Sequence, residues 1–423
     1  MKEDFLHYVW RNKSMELHGL LTTDNKTVEI VYFGDYLQTS GPDFFNAKIR
    51  IDGQLWAGNV EMHVKSSGWY LHNHEKDSAY DNVILHVVWE DDIPIFRQDE
   101  TLLPTLILSK YVHKKAFENY QNLFRTKKNL NCEYFISSVK PIIWLGWKER
   151  LLVERLVYKS TPMKNELLLT NNHWEEVFYR FLFKNFGLKT NGDYFFSLAN
   201  KIPFSVIQKE RHHINHLEAL FLGMANLLDN PMDEYTEMLN KTFAYLKVKH
   251  QLTTNFLEKP QFFRLRPPNF PTIRLVQLAQ LLHQNEHLFN FLVVQPINYE
   301  QWKNQLGISP SAYWATHYVL GKESKKSNKK LSNSFIDLLL INTVFPFRFI
   351  YGNYTGNADV EEVFEVYQQI QPEKNHITTL FNQLKVPTEN ALDSQAIIHL
   401  KQFYCDKKLC LQCAIGHQIL KHE

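Results

Sequence analysis

The chain has 423 residues, of which 44% are hydrophobic, 22% charged and 14% aromatic, and these proportions exclude a disordered protein. The formal net charge of +2 neither predicts nor excludes a nucleic-acid partner, because local patches matter more than the sum. Four cysteines in a chain of this length exclude a disulfide scaffold.

Two segments bear on membrane association. The opening residues, Met-Lys-Glu-Asp-Phe-Leu-His, include two acids and so do not resemble a secretory signal. The most apolar later stretch, 335–351, is interrupted by Asp337, Asn342, Pro346 and Arg348, which makes it too polar and too short to span a bilayer. We therefore expect a cytoplasmic protein without membrane association.

A strand-rich region follows one short N-terminal helix. Residues 3–13 carry apolar side chains at helical spacing. The patterns that follow predict strands at 27–33, 44–51, 55–65 and 83–89, with a further hairpin at 93–97 and 101–108. Asp52-Gly53 is a strong tight-turn signal, so the second and third strands are predicted to form an antiparallel hairpin.

From about residue 111 the hydrophobic pattern becomes helical. The predicted helices cover 111–125, 142–159, 174–186, 212–228, 232–250, 273–285, 334–344, 360–371 and 393–404. The predicted fold is therefore α+β, with a strand-rich domain at 1–110 and a large, mostly α-helical domain at 111–423. The sheet is expected to be mixed or antiparallel. A long helix between residues 68 and 83 would favour a nuclease-like α/β layout, and a meander of strands would favour a small β-sandwich or barrel.

Polar side chains concentrate on one face of the hairpin. Because side chains alternate along a strand, Glu61, His63 and Lys65 point to one side of the second hairpin strand. A two-residue turn places Phe44 opposite Glu61 and leaves Asp43 just outside the pairing. A three-residue turn places Asp43 opposite His63, and a bulge at Gly58 would reconcile the two registers. In each register Asp43 lies near Glu61.

Two neighbouring carboxylates are typical ligands of a shared Mg²⁺ or Mn²⁺ ion. The ion would stabilise charge on a phosphate while His63 or Lys65 positions the attacking water. The arrangement resembles the PD-(D/E)xK nuclease superfamily, in which a Pro-Asp precedes one strand and Glu-x-Lys ends its hairpin partner. Pro42-Asp43 and Glu61 match that pattern, whereas His63 stands in place of the lysine and Lys65 lies one pleat further on. The resemblance implies hydrolysis of a nucleic-acid phosphodiester, on DNA or RNA.

Longer segments carry a second resemblance, over nearly the whole chain. They are Ser40-Gly-Pro-Asp-Phe-Phe-Asn-Ala-Lys48, Trp56-Ala-Gly-Asn-Val-Glu-Met-His63, residues 69–74, residues 80–89 and Arg266-Pro-Pro-Asn-Phe-Pro-Thr-Ile-Arg274. These segments resemble an uncharacterised bacterial domain-of-unknown-function family (DUF2851-like). That resemblance implies a bacterial, cytoplasmic protein and no established activity.

The histidines offer an alternative metal site. His63, His72, His74 and His86, together with Asp81, would instead ligate Zn²⁺ or Fe²⁺, since neutral imidazole suits these softer ions. This alternative predicts a histidine-metal hydrolase if the imidazoles converge. A buried, hydrogen-bonded structural histidine is the other interpretation of His86.

The cysteines are unevenly distributed. Cys405, Cys410 and Cys413 have the compact spacing of metal ligands, and Cys132 provides a fourth thiolate. The set predicts a Zn²⁺ site or a 4Fe-4S cluster. Some nucleases of the resembled superfamily bind a cluster through one distant and three C-terminal cysteines, but there the lone cysteine precedes the nuclease core. Reduced, partly buried thiols are the alternative.

Basic residues of the helical part provide candidate nucleic-acid contacts. Arginines interleaved with aromatic residues and a lysine-rich stretch from Lys322 give five candidates: Arg264, Arg266, Arg274, Lys325 and Lys326. A helix-packing surface and a solvated loop are the structural alternatives. The leading hypothesis is a metal-dependent nuclease, and the other class is a noncatalytic nucleic-acid- or protein-binding scaffold with the cysteines as a metal staple.

Overall fold

A computed structural model describes residues 1–37, 40–125, 129–254, 258–357 and 359–421. It confirms the α+β class, with an N-terminal sheet followed by a large helical region. The strands are β1 (Leu20–Leu21), β2 (Thr27–Tyr32), β3 (Asp35–Tyr36), β4 (Phe44–Ile51), β5 (Gln54–Lys65), β6 (Val83–Glu90), β7 (Thr105–Ile107), β8 (His317–Val319) and β9 (Lys322–Glu323).

The helices account for most of the chain. They are α1 (Glu3–Arg11), α2 (Gly68–Leu71), α3 (Lys114–Arg125), α4 (Pro141–Leu169), α5 (Trp174–Phe186), α6 (Leu188–Lys201), α7 (Phe204–Glu210), α8 (Ile214–Met224), α9 (Glu234–Lys249), α10 (Pro271–Gln284), α11 (Tyr299–Leu306), α12 (Asn333–Leu339), α13 (Phe345–Thr355), α14 (Val360–Gln369), α15 (His376–Gln383), α16 (Ala391–Leu400) and α17 (Ala414–Lys421). All nine predicted helices are confirmed at their centres. Seven helices lie outside the predicted ranges: α2, α6, α7, α11, α13, α15 and α17.

The chain divides into two compact units that differ from the predicted boundary at residue 110. Unit 1 comprises Met1–Glu149, Asn375–Pro387 and Ile397–Glu423, and unit 2 comprises Arg150–Lys374 and Thr388–Ala396. The C-terminal segment belongs with the sheet because Leu420 of α17 and Tyr120 of α3 are buried in the same apolar core as α1. Contacts between residues hundreds of positions apart leave no local signal in the sequence.

The sheet of unit 1 has the order β1-β2-β4-β5-β6-β7, and β3 also pairs with β4. Pairing is antiparallel from β1 to β5, whereas β5–β6 and β6–β7 are parallel. Thr22, next to β1, bridges Leu106 of β7, so the sheet is nearly closed like a barrel. It is therefore mixed, which is one of the two predicted alternatives.

The hairpin forms as predicted up to a bulge in β4. Ile51 pairs with Gln54, and the two turn residues have φ values of 47° and 81°, as a two-residue hairpin turn requires. The register then shifts at Asn46, which has φ 56°. As a result Phe44 pairs with Val60 instead of Glu61, and the predicted bulge at Gly58 is wrong. The bulge turns Phe44 into the apolar core.

The connection from β5 to β6 matches neither expected layout. It consists of the four-residue helix α2 followed by two short 3₁₀ turns, His74–Lys76 and Ser78–Tyr80, so no long helix is present between residues 68 and 83. The strands that it joins are parallel, which excludes a simple meander here. Because the connection starts and ends at the sheet, it folds back over the face of β5 that carries Glu61 and His63.

Unit 2 is helical, with one short hairpin formed by β8 and β9. Its core is large and rich in phenylalanine, including Phe183, Phe186, Phe195, Phe221 and Phe345. One stretch, Asn333–Thr355, is long and apolar enough to cross a membrane by length and composition, but 67% of its most apolar window is buried inside the protein. That burial is typical of a core helix.

Candidate metal centre

The candidate site forms on the face of β5 opposite α1. Val60 and Met62 of β5 point into the core beneath α1, whereas Glu61 and His63 point to the other face. Glu61 is 6% exposed and His63 is 2% exposed, so both are buried polar groups. Buried polar side chains require partners, and here the partners are mostly histidines.

Three imidazoles converge at this face. His63 Nε2 lies 3.1 Å from His72 Nδ1. One nitrogen from each of His63, His72 and His74 can be chosen so that all three lie within 4.8 Å of one another. His72 and His74 come from the connection between β5 and β6, which carries them back over His63.

Glu61 adds a carboxylate oxygen to the imidazoles. Its Oε1 lies 3.3 Å from His74 Nε2 and 3.7 Å from His63 Nε2. With metal–ligand bonds of about 2.1 Å, neighbouring donors in a tetrahedral or octahedral set lie about 3.0–3.4 Å apart. The spacing of these donors is therefore close to that of a coordination shell.

Burial keeps the His63 and His74 imidazoles neutral, which is the form that binds a metal ion. Burial lowers the pKa of His63 to about 2, and the neighbouring imidazoles of His86, His74 and His72 add to the shift. Burial also lowers the pKa of His74, although nearby carboxylates oppose that shift. Burial raises the pKa of the Glu61 carboxyl to about 9, and the nearby charge of Asp43 raises it further.

Contacts with His86 and Gly68 constrain the orientation of the His63 ring. His63 Nδ1 lies 2.9 Å from Nε2 of His86, which is fully buried on β6. This contact leaves His63 Nε2 directed toward His72. A Cβ on Gly68 would lie 2.6 Å from His63 Cδ2, so only glycine permits this close approach. Such contacts fix the orientation of a ligating imidazole.

Asp43 lies beside Glu61, as the hairpin pattern predicted. The Asp43 backbone N–H donates to Glu61 Oε2 at 3.1 Å, and the Met62 N–H donates to Asp43 Oδ2 at 3.0 Å. The second contact of the Asp43 carboxylate comes from α1, where His7 Nε2 lies 3.1 Å from Oδ2. Burial opposes protonation of His7, but the hydrogen bond and charge of Asp43 outweigh it and raise the pKa of His7.

Sequence reasoning missed His7. The histidine was visible in the opening segment, on the amphipathic pattern that predicts α1. The pattern does not show which strand end the helix covers, because that depends on packing against β5. Lys65, in contrast, lies outside the cluster: it is exposed, and its Nζ is 3.2 Å from Glu90 Oε1. Asp81 is also exposed.

The four cysteines belong to unit 1, and their thiols lie close enough to affect one another's pKa. Burial raises the pKa of the Cys132 thiol to about 12, and the neighbouring thiols of Cys413 and Cys410 contribute. Burial also raises the pKa of the Cys405 thiol, and the other three thiols raise it further. The Cys413 sulfur accepts hydrogen bonds from the backbone N–H groups of Ile415 and Gly416, at the start of α17.

The predicted nucleic-acid contacts in unit 2 differ in accessibility. Arg264 and Arg266 are exposed, as are Lys325 and Lys326. Arg274, however, is 7% exposed, donates to Gln277 and Asn269, and stacks on the Phe335 ring at 3.6 Å. Its guanidinium is buried against other residues of unit 2, so the prediction of a nucleic-acid contact is not supported for Arg274.

Comparison with known proteins places the chain in a family. No curated protein and no solved structure matches it. A family model described as "Protein of unknown function (DUF2851)" matches residues 3–376, which is most of the chain and includes the hairpin, the histidine cluster and His7. The resemblance inferred from the sequence is thereby confirmed, and the chain belongs to the DUF2851 family.

Proposed function

We propose that this protein is a divalent-metal-dependent hydrolase that cleaves nucleic-acid phosphodiesters, with its metal held by His63, His72, His74 and Glu61. The observation that carries the proposal is the convergence of three imidazoles, with nitrogens within 4.8 Å of one another, and one carboxylate oxygen 3.3 and 3.7 Å from two of them. The proposal joins the two catalytic hypotheses, because Asp43 and Glu61 adjoin the histidines.

The donor set favours particular ions. Mg²⁺ prefers an all-oxygen shell with several waters, whereas imidazole nitrogens suit Zn²⁺, Fe²⁺ and related transition metals. Mn²⁺ accepts carboxylate and water ligands, and it generally binds a given site more weakly than Fe²⁺ or Zn²⁺. We therefore infer Mn²⁺, Fe²⁺ or Zn²⁺ as the working ion, in preference to Mg²⁺.

A bound ion would supply Lewis-acid stabilisation of phosphate charge and a more acidic water. The residues of the chain do the rest. His86 and Gly68 hold His63 in place. Asp43 accepts hydrogen bonds from His7 and from the Met62 N–H. We expect Asp43 to take up a proton from the attacking water, and His7 to stabilise that proton on the Asp43–His7 pair.

The test is cleavage by purified protein over a panel of single- and double-stranded DNA and RNA, with Mn²⁺, Fe²⁺, Zn²⁺ or Mg²⁺ added. We expect cleavage with a transition metal, and a decrease of about 100-fold or more in Asp43→Asn and His72→Ala. His18→Ala, which alters an exposed histidine outside the cluster, is the matched control and should retain activity. The absence of cleavage with every ion, or variants as active as wild type, would contradict the proposal.

For the cysteines we infer a structural metal site, holding Zn²⁺ or a 4Fe-4S cluster. Burial raises the pKa of the Cys413 thiol, two backbone N–H groups directed at its sulfur oppose that shift, and the other three thiols lie near one another. Elemental analysis and visible absorption of anaerobically purified protein distinguish the two groups. Protein that contains neither zinc nor iron, with Cys410→Ser as stable as wild type, would exclude the site.

A further inference from the structure

A second feature of unit 1 adjoins the candidate metal centre. It is a groove with a cavity volume of about 540 Å³, formed by α1, Tyr36, α3 and residues 407–412. We call it the basic groove. Its volume lies within the range of about 300–1,000 Å³ that is typical of ligand sites in proteins. None of the residues predicted from the sequence to contact nucleic acid lines it.

The charges of the basic groove are mostly positive. Lys2, Arg11, Lys407 and Lys408 line it, and the acidic residue among its lining is Asp4. All four cations are exposed, and among the residues that the structure describes none of the four has an acidic partner within 4.0 Å. Unpaired cations that line one concave surface raise the local concentration of anions.

Aromatic side chains accompany these cations. Tyr36 and Phe124 also line the groove, and Phe124 is 37% exposed, whereas Tyr120 lines it from the apolar core. The Arg11 guanidinium lies 5.8 Å from the centre of the Tyr36 ring. Aromatic faces among lysines and arginines are the surface on which single-stranded nucleic acids stack their bases, because every base has a π face.

The groove reaches the acidic pair beside the candidate metal centre through His7. His7 lines the groove, and its Nε2 lies 3.1 Å from Oδ2 of Asp43. Tyr36 lines the groove as well, and its hydroxyl is 3.4 Å from His7 Nδ1. His7 therefore connects the groove to Asp43, whose backbone N–H donates to Glu61 Oε2.

We propose that the basic groove binds a single-stranded nucleic acid next to the acidic pair of the proposed hydrolase. The inference rests on the proposed function for the fate of the ligand, but binding itself does not require metal or cleavage. The aromatic lining favours a single strand over a duplex, whose stacked bases cannot reach the rings. An acidic protein segment would interact with the lysines and the arginine of the groove, but it has no bases to stack on the aromatic rings.

Binding is measured with chelator present, so that no cleavage occurs. The probe is a fluorescein-labelled oligothymidylate of about twelve nucleotides, followed by fluorescence anisotropy. A duplex and a polyglutamate peptide of similar charge are competitors. The test variant is Lys407→Gln/Lys408→Gln. The matched control is Lys114→Gln/Lys115→Gln, an exposed lysine pair of the same unit that lies outside the groove.

We expect the single strand to bind more tightly than either competitor. The test variant should lower affinity roughly tenfold at about 50 mM salt and reduce the slope of log K against log salt by about 1.4, since each phosphate contact on a single strand contributes about 0.7. The control pair should change neither quantity.

Three results would overturn the inference: no binding of the oligonucleotide, equal losses in the two lysine pairs, or tighter binding of duplex or polyglutamate. Protein that binds the strand in the groove but cleaves nothing with any metal would contradict the proposed hydrolase alone. Protein that binds metal at the histidines but no oligonucleotide would contradict the groove alone.

Discussion

Replacing His72 by alanine removes one imidazole from the proposed metal centre and changes little else. His72 is exposed in the connection between β5 and β6, and its Nδ1 lies 3.1 Å from His63 Nε2. Exposed substitutions away from the core usually change the free energy of unfolding by less than about 0.5 kcal/mol. The metal-free variant should therefore be about as stable as the metal-free wild type.

The two proteins should differ once metal is added. A ligand at 100 times its Kd stabilises the folded state by about 2.7 kcal/mol. For unit 1, with about 190 residues, that corresponds to a rise in Tm of about 5–11 °C at roughly 2–4 °C per kcal/mol. Removing even an outer-shell partner weakens metal binding by about 10–100-fold. If loss of His72 weakens it 100-fold, the stabilisation falls to about 0.4 kcal/mol and the shift to about 1–2 °C.

The assay is thermal unfolding of the full chain, with and without Mn²⁺ or Zn²⁺, for wild type, His72→Ala and the control His18→Ala. We expect the control to keep the full metal-induced shift. The reasoning is refuted if metal raises the Tm of His72→Ala as much as that of wild type. It is equally refuted if no divalent ion raises the Tm of the wild-type protein.

Two further predictions concern stability. Gly68→Ala should lower the free energy of unfolding by about 1–3 kcal/mol and should also weaken metal binding, because the new Cβ would lie 2.6 Å from the His63 ring. The control Gly146→Ala should not destabilise the protein, because a Cβ at that position meets no atom within 4 Å. Burial raises the pKa of Glu210, but hydrogen bonds from Lys249 and two histidines outweigh it and lower that pKa to about 2. The stabilising contribution of the Glu210 carboxylate is therefore present above pH of about 4.3 and is lost as the pH falls toward 2. In urea unfolding, Glu210→Gln should therefore lose less stability than wild type over this acid range. Equal acid sensitivity of the two proteins, or a Gly68→Ala variant as stable as Gly146→Ala, would contradict these predictions.

Local patterns were sufficient for several elements. The predicted strand 44–51 and the predicted helix 174–186 have the observed bounds, because a period-two pattern covers most of the strand and apolar residues recur at helical spacing along the helix. The Asp52-Gly53 turn fixed the start of the hairpin register, since few residues accept two successive positive φ values. Proximity of Asp43 to Glu61 followed from that hairpin.

Other parts of the site depend on tertiary packing. The bulge at Asn46 changed which residue of β4 enters the core, and the sequence placed it wrongly at Gly58. The role of His7 depends on how α1 lies against β5, and the basic groove brings residues 2–12 together with residues 407–412. No periodic pattern reports contacts between such distant segments.

The sequence alone thus determined the fold class, most of the secondary structure and the acidic pair on the hairpin, because these depend on side-chain periodicity and turn geometry among near neighbours. Only the tertiary structure decided that His72 and His74 fold back onto His63, that α1 supplies a partner for Asp43 and that the C-terminal segment completes unit 1. Those arrangements are set by which apolar surfaces bury each other, and that selection involves the whole chain at once.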